Sequence, residues 1–322
     1  MIDGRPLSLK EQIKLDSDGL RGSIAQELAS PLREFSRTNV QLLRFHGIFQ
    51  QDDRDQRLQR RSAGHDLDFE FTLRVRATGG RLTAYQLLGM LELADEFRLG
   101  SLRATSRQGL QLSHLRKRDL RPVLARIAQL GLTTFSSGGD VNCNVVCCPA
   151  EGVGGAARST LRALAEQINA MLMPDDAAYR SIWLSGNSLA KPPREQSVSV
   201  SHEIYGPAFL PHKLKIGLAL PEDNCVDVLA QDIGLLMSCR GEQVVGYEVF
   251  VGGGMSMSPS VSRNSPRLAQ PLAFVAPDQV LAVIRAIVEV YRESGDRTRP
   301  NQARMKYLVA DCGIEEFGRL VQ

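Results

Sequence analysis

Length, composition and charge exclude several classes of protein. The chain has 322 residues, a formal net charge of +3 and 43% hydrophobic residues, which predicts about two soluble globular domains. Its Lys/Arg runs are too short to follow a nucleic-acid backbone, so we expect no nucleic-acid partner. The sequence lacks a run of about 18 apolar residues and an N-terminal signal-peptide pattern, so we expect a cytoplasmic protein without a membrane partner.

Composition and hydrophobic spacing divide the chain into three regions. Residues 1–65 are polar with a helical pattern, and we interpret them as an arm that wraps another unit. Residues 66–137 show the order strand, helix, strand, strand, helix, which predicts a ferredoxin-like half-domain. Residues 138–322 form a second domain of mixed helices and strands. The predicted fold class is therefore α+β.

The first helix of the half-domain has clear boundary signals. Thr83 is a candidate N-cap, and Gly100 is a natural stop. Within the helix we expect Leu87, Leu88 and Leu91 to face inward.

The remaining elements follow from turn signals and apolar spacing. A hairpin through Gln108-Gly109 leads to an amphipathic helix from Asp119 to Leu130. The second domain is predicted to contain a helix over 156–173, strands near 181–184, 213–220 and 244–251, and helices near 277–293 and 299–310.

Three predicted strands carry cationic or polar side chains on one face. Side chains alternate across a strand, so Lys213 and Lys215 point to the same side. The same spacing applies to Arg74 with Arg76, and to Arg103, Thr105 and Arg107. Each strand alone is typical of a solvated outer face, but like charges held side by side on three strands favour an anion-binding concavity.

Two further motifs have weaker chemical meaning. Gly252, Gly253 and Gly254 follow a strand and can expose backbone N–H groups to an anion, although such a run is also typical of an ordinary turn. Cys143, Cys147 and Cys148 lie close in sequence, yet no second Cys or His pair completes a four-ligand metal site. We therefore interpret Cys147 and Cys148 as buried small apolar residues and assign no metal ligand.

Motifs along almost the whole chain occur in the order of a known family. They include Phe45-His-Gly-Ile-Phe49, Thr105-Ser-Arg-Gln-Gly-Leu-Gln111, Gly139-Asp-Val-Asn-Cys-Asn144, the segment from Tyr205 to Lys215, and Val251-Gly-Gly-Gly254. The chain resembles the hemoprotein of the siroheme-dependent sulfite and nitrite reductases. The resemblance implies six-electron reduction of sulfite or nitrite at a siroheme bridged to a 4Fe-4S cluster, with ferredoxin or a flavoprotein as electron donor.

The resemblance assigns roles to individual residues. It implies that Arg76, Lys213 and Lys215 bind the substrate anion and deliver protons, and Lys215 favours sulfite over nitrite. It implies cofactor-binding roles for Arg74, Arg103, Thr105, Arg107, Gln111, Asn142, Asn144, His212, Gly252, Gly253, Gly254, Arg297 and Lys306. A site for a cofactor with many carboxylates and an oxyanion substrate needs this density of cations.

Several positions depart from the family pattern. Cys143 stands where the family usually has Arg, and a thiol supplies no fixed positive charge. His212 replaces a stronger cation with a pH-dependent one, and His114 is shifted by one position along its strand.

The cysteine pairs that bind the cluster, Cys-x5-Cys and Cys-x3-Cys, belong to a second half of the family's chains and are not found here. We therefore expect the cluster ligands to come from a second half-subunit. Three hypotheses stay open: the N-terminal half of a split sulfite reductase, a siroheme-binding module without catalysis, and a truncated product.

Overall fold

Two β-sheets of different construction organise the chain. The computed structural model describes residues 6–65, 67–149, 155–184, 203–241, 243–257 and 265–322. The first sheet has the strand order β1-β2-β4-β3, and the second has the order β5-β6-β7-β8-β9. Helices and strands therefore segregate into the predicted α+β class rather than alternating as in a doubly wound sheet.

The first sheet is antiparallel throughout. Its strands are β1 (Ile48–Asp52), β2 (Phe69–Val75), β3 (Leu102–Ala104) and β4 (Leu110–Leu115). The helices α5 (Ala84–Glu96) and α6 (Leu120–Gln129) belong to the same unit. The predicted order of strand, helix, strand, strand, helix is confirmed, but β1, which lies within the predicted arm of residues 1–65, was not foreseen as a strand.

Helix α5 begins as predicted and faces the opposite way. Thr83 and Gln86 form a capping box, so the predicted N-cap is confirmed. The inward orientation predicted for Leu87, Leu88 and Leu91 is wrong, since they are 41%, 59% and 44% exposed. The buried face centres instead on Gly89, where a Cβ would lie 2.4 Å from Leu130. Close approach to α6 selects the face with the smallest residue.

The end of α5 and the following hairpin also differ in detail. The helix ends at Glu96, before the predicted stop at Gly100, and Arg98 and Gly100 then take positive φ angles of 53° and 73°. The hairpin through Gln108-Gly109 is confirmed, with Gln108 at a φ of 54°. Helix α6 is confirmed, because Val123 and Ile127 on its apolar face are fully buried.

The second sheet is mixed. Strands β5 (Val146–Cys147), β6 (Ile216–Ala219) and β7 (Ile233–Arg240) are parallel, and β8 (Gln243–Val251) and β9 (Gln270–Val275) continue it in antiparallel pairing. The helices of this region are α7 (Gly155–Met171), α8 (Ala177–Trp183), α9 (Val280–Ser294), α10 (Met305–Cys312) and α11 (Ile314–Val321).

The strand predicted at residues 181–184 is wrong. Residues Ala177–Trp183 form helix α8, whose Tyr179, Ile182 and Trp183 are buried. A short apolar run does not separate a strand from a buried helix by periodicity alone, and here tertiary packing decided. The Trp183 indole Nε1 donates a 2.8 Å hydrogen bond to Nδ1 of His46, which anchors the helix in the core.

The N-terminal region packs against the second domain through buried charges. Its helices are α1 (Leu9–Leu15), α2 (Ile24–Ala29), α3 (Arg37–Leu43) and α4 (Arg54–Ser62). In α1, the Lys14 ammonium lies 2.5 Å from the Glu11 carboxylate and 3.2 Å from that of Asp140, and Lys10 lies 2.7 Å from Asp140. The predicted division at residue 65 stays a prediction, because this region contributes both a strand of the first sheet and contacts to the second domain.

Burial gives the Asp140 carboxylate an unusual dependence on its partners. Burial alone would raise the pKa of Asp140, but the charges of Lys14 and Lys10 outweigh it and hold the pKa below its ordinary value. The network therefore fixes the chain that enters the second domain at Asp140. Among the described residues, helices are too short or too polar to span a lipid bilayer.

We expect acid sensitivity from the core histidine His46. Burial lowers its pKa from 6.5 to about 3, so the unfolded chain binds the proton first. The free energy of unfolding should fall by up to about 1.4 kcal/mol per pH unit from this group as pH drops below 6.5. Denaturant unfolding between pH 7 and 4 measures this slope. His46→Gln should flatten it, the exposed His65→Gln should not, and equal slopes in all three proteins would contradict the assignment.

Candidate functional site

A cationic cavity lies where the first sheet meets the second domain. It has a volume of about 270 Å³, and its lining includes seven of the predicted site residues: Arg74, Arg76, Arg103, Thr105, Arg107, Gln111 and Asn144. We call it the cationic cavity. Strand register explains part of the grouping, because Gln111 on β4 pairs with both Arg74 on β2 and Arg103 on β3. Directly opposed residues share a face of the sheet.

The strands are shorter than the alternation predicted. Strand β2 ends at Val75, so Arg76 lies just beyond it and is buried while Arg74 is exposed. Strand β3 ends at Ala104, so Thr105 and Arg107 belong to the hairpin loop. The interpretation of each pair as one strand face is therefore wrong for these residues, although the loop still brings them to the same cavity.

The Arg76 guanidinium is held by two backbone carbonyls and one side chain. Its Nη1 donates to the carbonyls of Ser136 at 2.7 Å and Asn142 at 3.3 Å, and its Nη2 donates to the Asn169 side chain. Burial lowers the pKa of Arg76 to about 10, so it stays charged at neutral pH. A cation fixed in this way can bind an anion without the cost of ordering a mobile side chain.

Arg107 joins the half-domain hairpin to the second sheet. Its Nη2 donates to the carbonyls of Asn144 at 2.5 Å and Ile216 at 3.0 Å, and its Nη1 donates to Gln231 at 2.6 Å. In return, the Asn144 side-chain amide donates to the Arg107 carbonyl at 2.7 Å. Loss of this residue would affect the relative position of the two units as well as the charge of the cavity.

Lys213 and Lys215 flank the buried Leu214 immediately before β6. Leu214 is buried and pairs with Asn142 in an isolated parallel bridge, while Lys213 and Lys215 on either side of it are half-buried and lie outside β6. The strand predicted to begin at Lys213 is therefore shorter, and a face shared by the two lysines stays a prediction. Burial lowers the pKa of Lys215, and the charges of Lys213, Arg304 and Arg107 lower it further. A bound anion would oppose these effects, so this lysine suits both anion binding and proton donation.

Arg304 and Asp232 complete the group, and sequence reasoning missed both. The Arg304 Nη2 donates to Asp232 Oδ1 at 2.6 Å, and Asp232 Oδ2 accepts the Lys215 backbone N–H at 3.0 Å. Both side chains are buried. Asp232 directly precedes β7, which was not among the predicted strands. The sequence therefore did not indicate that Asp232 lies next to Lys215.

His212 does not act as the pH-dependent cation that we expected. Burial lowers its pKa from 6.5 to about 3, and the nearby Lys10, Lys213 and Arg304 charges act in the same direction against the opposing charge of Asp140. The imidazole is therefore neutral at physiological pH. The expectation overlooked that neighbouring cations and burial both disfavour a second positive charge.

The glycine run uses its backbone within the chain. The Gly252 N–H donates to the Asp232 carbonyl at 2.9 Å, and the Gly254 N–H donates to the Arg267 carbonyl at 2.8 Å. A Cβ on Gly253 would lie 2.4 Å from two carbonyl oxygens. The expectation that Gly252 and Gly254 expose N–H groups to an anion is therefore wrong, and the run serves close backbone packing.

Arg297 and Lys306 are likewise engaged inside the protein. Arg297 is buried against the Glu11 carboxylate and also donates to the Phe209 carbonyl at 2.6 Å. The Lys306 ammonium donates to the carbonyls of Ser256 at 2.9 Å and Ser265 at 2.7 Å. Neither lines the cationic cavity. Their predicted cofactor contacts stay predictions.

The three cysteines of the second motif are all buried. Cys147 lies on β5, where burial raises the pKa of its thiol to about 11, which agrees with an unreactive core residue. Cys143 lies near enough to Arg76 and Arg107 for a thiolate there to stabilise both cations and raise their pKa values. The position thus borders the cationic group.

Unpaired polar atoms test whether the residues fit an anionic cofactor. Among the described residues, the buried atoms without a hydrogen-bond partner include Nε of Arg76, Arg107 and Arg304, Oδ1 and Nδ2 of Asn142, Oδ1 of Asn144 and Nδ1 of His212. Buried polar groups are nearly always paired, so the unpaired atoms on these residues in and beside the cationic cavity indicate a site built for a polar ligand. Guanidinium donors suit carboxylates and oxyanions, and the residues therefore fit.

Comparison with known proteins agrees with this geometry. Residues 138–322 match the family described as the nitrite and sulphite reductase 4Fe-4S domain, and residues 65–130 match the nitrite/sulfite reductase ferredoxin-like half domain.

The chain is 40% identical over 314 residues to the sulfite reductase (NADPH) hemoprotein beta-component of Myxococcus xanthus, covering 97% of this chain and 54% of that protein. It is 37% identical over 330 residues to the sulfite reductase (ferredoxin) of Synechococcus elongatus, covering 98% and 52%. The solved structure of Mycobacterium tuberculosis NirA shares the fold, with a TM-score of 0.68 and 22% identity over 98% of this chain and 52% of that one.

The chain thus spans about half the length of the curated relatives it matches. Both domains of this family are matched in the order that the two sheets show, and the family match at residues 138–322 covers more than half of the chain. The protein therefore belongs to the nitrite and sulphite reductase family.

Proposed function

We propose that the chain is a component of a siroheme-dependent sulfite reductase. The observation that carries this proposal is the set of buried, unpaired donors on Arg76 and Arg107 beside the cationic cavity. The relatives at 37–40% identity are named sulfite reductases, in NADPH-linked and ferredoxin-linked forms, which supports sulfite and leaves the electron donor open between a flavoprotein and ferredoxin.

In this proposal one set of the chain's residues binds the cofactor and another set binds the substrate. Arg74, Arg103 and Gln111 would meet cofactor carboxylates across the sheet face. Arg76, Lys213 and Lys215 would bind the substrate oxyanion. Siroheme coupled to a 4Fe-4S cluster, when bound, would pass electrons from the external donor to the substrate.

Lys215 has the properties that proton delivery to a bound oxyanion requires. Its lowered pKa brings proton release closer to neutral pH, and its backbone is held by Asp232. Efficient proton transfer needs a donor whose pKa is near the working pH. The neutral His212 beside it leaves the lysines as the groups that carry the positive charge.

The source of the cluster ligands belongs to the same proposal. We infer that they come from sequence corresponding to the other half of the relatives, supplied by a second half-subunit. The alternative is that Cys143, Cys147 and Cys148, which lie near one another, contribute ligands themselves. Burial of all three and the raised pKa of Cys147 favour the first arrangement, because cluster ligands are thiolates.

A second candidate function is a siroheme-binding module without catalysis. Two features favour it: Cys143 lies beside Arg76 and Arg107, where the resemblance leads us to expect an arginine, and His212 is neutral. Both changes reduce the charge available to a substrate anion and leave the guanidinium groups for the cofactor unchanged.

Visible spectra with iron and acid-labile sulfide analysis test these proposals on protein purified from cells that make siroheme. Siroheme bands should appear in the wild type and fall strongly in Arg103→Met, which removes a cation proposed to meet a cofactor carboxylate. The exposed Arg81→Met, whose guanidinium pairs with Glu166 at 3.3 Å, should keep them. Sulfide and excess iron together with a co-purified chain support the split enzyme, and siroheme without sulfide supports the binding module. Sulfide in the chain alone, lost in Cys143→Ser, would support cluster ligands within it. A colourless wild type would contradict siroheme binding by this half alone.

A further inference from the structure

Three potential metal ligands meet at one edge of the second sheet, outside the cationic cavity. Cys148 directly follows β5, while Asp223 and Cys225 lie in the turn after β6. Because β5 and β6 are parallel neighbours, the residues that follow them lie at the same sheet edge. The topology thus brings together side chains that are 75 residues apart in sequence.

The ligand atoms are already close. The Sγ atoms of Cys148 and Cys225 and a carboxylate oxygen of Asp223 all lie within 4.8 Å of one another, and the Cys148 thiol donates to Asp223 Oδ2 at 2.7 Å. Tetrahedral zinc with Zn–S bonds of about 2.3 Å places two sulfurs about 3.8 Å apart. Small side-chain movements would therefore suffice to bind one ion.

Both segments are held in place by their own hydrogen bonds. The Asp223 N–H donates to the Leu220 carbonyl at 3.0 Å, and the Val228 N–H donates to the Asn224 side chain at 2.9 Å. On the other segment, the Cys147 carbonyl accepts a 2.6 Å bond from the Gln108 side chain. Ligands on ordered backbone lose little entropy when they bind a metal.

The charges around the cluster also balance for a divalent ion. Two thiolates and a carboxylate carry three negative charges, which exceed the charge of a divalent cation by one. Arg158 in the first turn of α7 supplies the missing positive charge, with Nη1 2.9 Å from Cys148 Sγ and 2.7 Å from Asp223 Oδ2. Hydrogen-bonded partners of this kind orient metal ligands.

We propose that Cys148, Cys225 and Asp223 form an accessory binding site for zinc or a similar thiophilic divalent ion, with Arg158 as the outer partner. The two sulfur ligands select such an ion over magnesium or calcium. Cys148 is buried, Asp223 is half-buried and Cys225 is exposed, so ions can enter from the side of Cys225 and water can complete the coordination. Binding releases both thiol protons to solvent and fastens the end of β5 to the turn after β6.

Cobalt titration of the fully reduced, metal-stripped 322-residue chain tests the site. Co²⁺ should bind with one ion per chain and a thiolate charge-transfer band, and Zn²⁺ should displace it. Cys148→Ser and Cys225→Ser should each lower the Co²⁺ affinity at least about tenfold and weaken the band. Cys239→Ser removes an exposed cysteine outside the cluster and should leave both unchanged. Circular dichroism checks that each variant is folded.

Several results would overturn the site. These are a wild type without the charge-transfer band, a band that survives in both Cys148→Ser and Cys225→Ser, or an equal loss in Cys239→Ser. A Cys148–Cys225 disulfide formed in air, with no metal uptake after reduction, would also reject it in favour of a redox cross-link. Cobalt binding involves neither siroheme nor sulfite. A negative result would therefore reject the metal site without bearing on the proposed function.

Discussion

Replacing Asp232 with leucine should lower the free energy of unfolding by roughly 3–5 kcal/mol, the usual cost of removing one partner from a buried ion pair. Asp232 is 1% exposed and is the hydrogen-bonded anion of Arg304 at 2.6 Å. Without it, the Arg304 guanidinium stays buried near the charge of Lys215 and loses its hydrogen-bonded counter-charge. The Lys215 backbone N–H also loses its acceptor.

Urea unfolding of the variants measures this effect. Asp232→Asn keeps an oxygen acceptor and removes only the charge, so its loss should be smaller than that of Asp232→Leu. Glu222→Leu is the matched control, because Glu222 is an exposed acid in the turn that follows β6. An Asp232→Leu loss no larger than that of Glu222→Leu would show that the Arg304 pair contributes nothing to stability.

Replacing Lys213 or Lys215 with alanine should weaken sulfite binding about 10- to 100-fold each. A hydrogen bond to a charged group contributes about 1.5–3 kcal/mol, and each 1.4 kcal/mol is about tenfold in affinity. The two half-buried lysines flank Leu214 in the segment before β6, and the neutral His212 cannot replace them. Calorimetric titration with sulfite of the chain assembled with its proposed second half-subunit measures the change in affinity.

The pH dependence of binding separates Lys215 from a general loss of charge. The pKa of Lys215 lies below its ordinary value in the free protein, and a bound anion favours the protonated form of this lysine. Sulfite affinity should therefore fall as pH rises through that lowered pKa, because the ammonium loses its proton. In Lys215→Arg the guanidinium stays charged, so the ratio of variant to wild-type affinity should rise with pH. This ratio cancels the titration of sulfite itself.

Controls for these lysine variants use a distant cation. Arg240→Ala removes an exposed positive charge at the end of β7 and should leave sulfite affinity unchanged. Unchanged affinity in both Lys213→Ala and Lys215→Ala would reject the proposed substrate-binding site.

The Cys143→Arg variant tests the same site from the opposite direction. Cys143 lies near Arg76 and Arg107, and the resemblance described above leads us to expect an arginine at this position. Restoring a guanidinium there should raise sulfite affinity. An unchanged affinity in a folded variant would mean that position 143 does not face the substrate.

The sequence by itself determined the local structure and the identity of the cationic residues. Thr83 capped its helix as predicted, because capping depends on side chains three residues apart. Helix α6 followed its apolar spacing, because that spacing depends only on residues three and four apart in the helix.

Tertiary structure alone decided which partners these residues meet. Leu87 was turned outward because Gly89 permits the closest approach to Leu130, and neither contact is visible in helical periodicity. Arg297 is buried in an ion pair with Glu11, which is 286 residues away in sequence.

The charged residues in and beside the cationic cavity show the same division. The sequence identified Arg76, Arg107 and Lys215 as candidate anion-binding residues, whereas Asp232 and Arg304 became part of the site only through folding. Burying a charge without a partner costs desolvation energy, so buried charges are paired in the folded protein. The size of this cost depends on the surrounding structure. Local pattern therefore predicts which groups carry charge, and only the packed structure decides which of those charges remain available to bind a ligand.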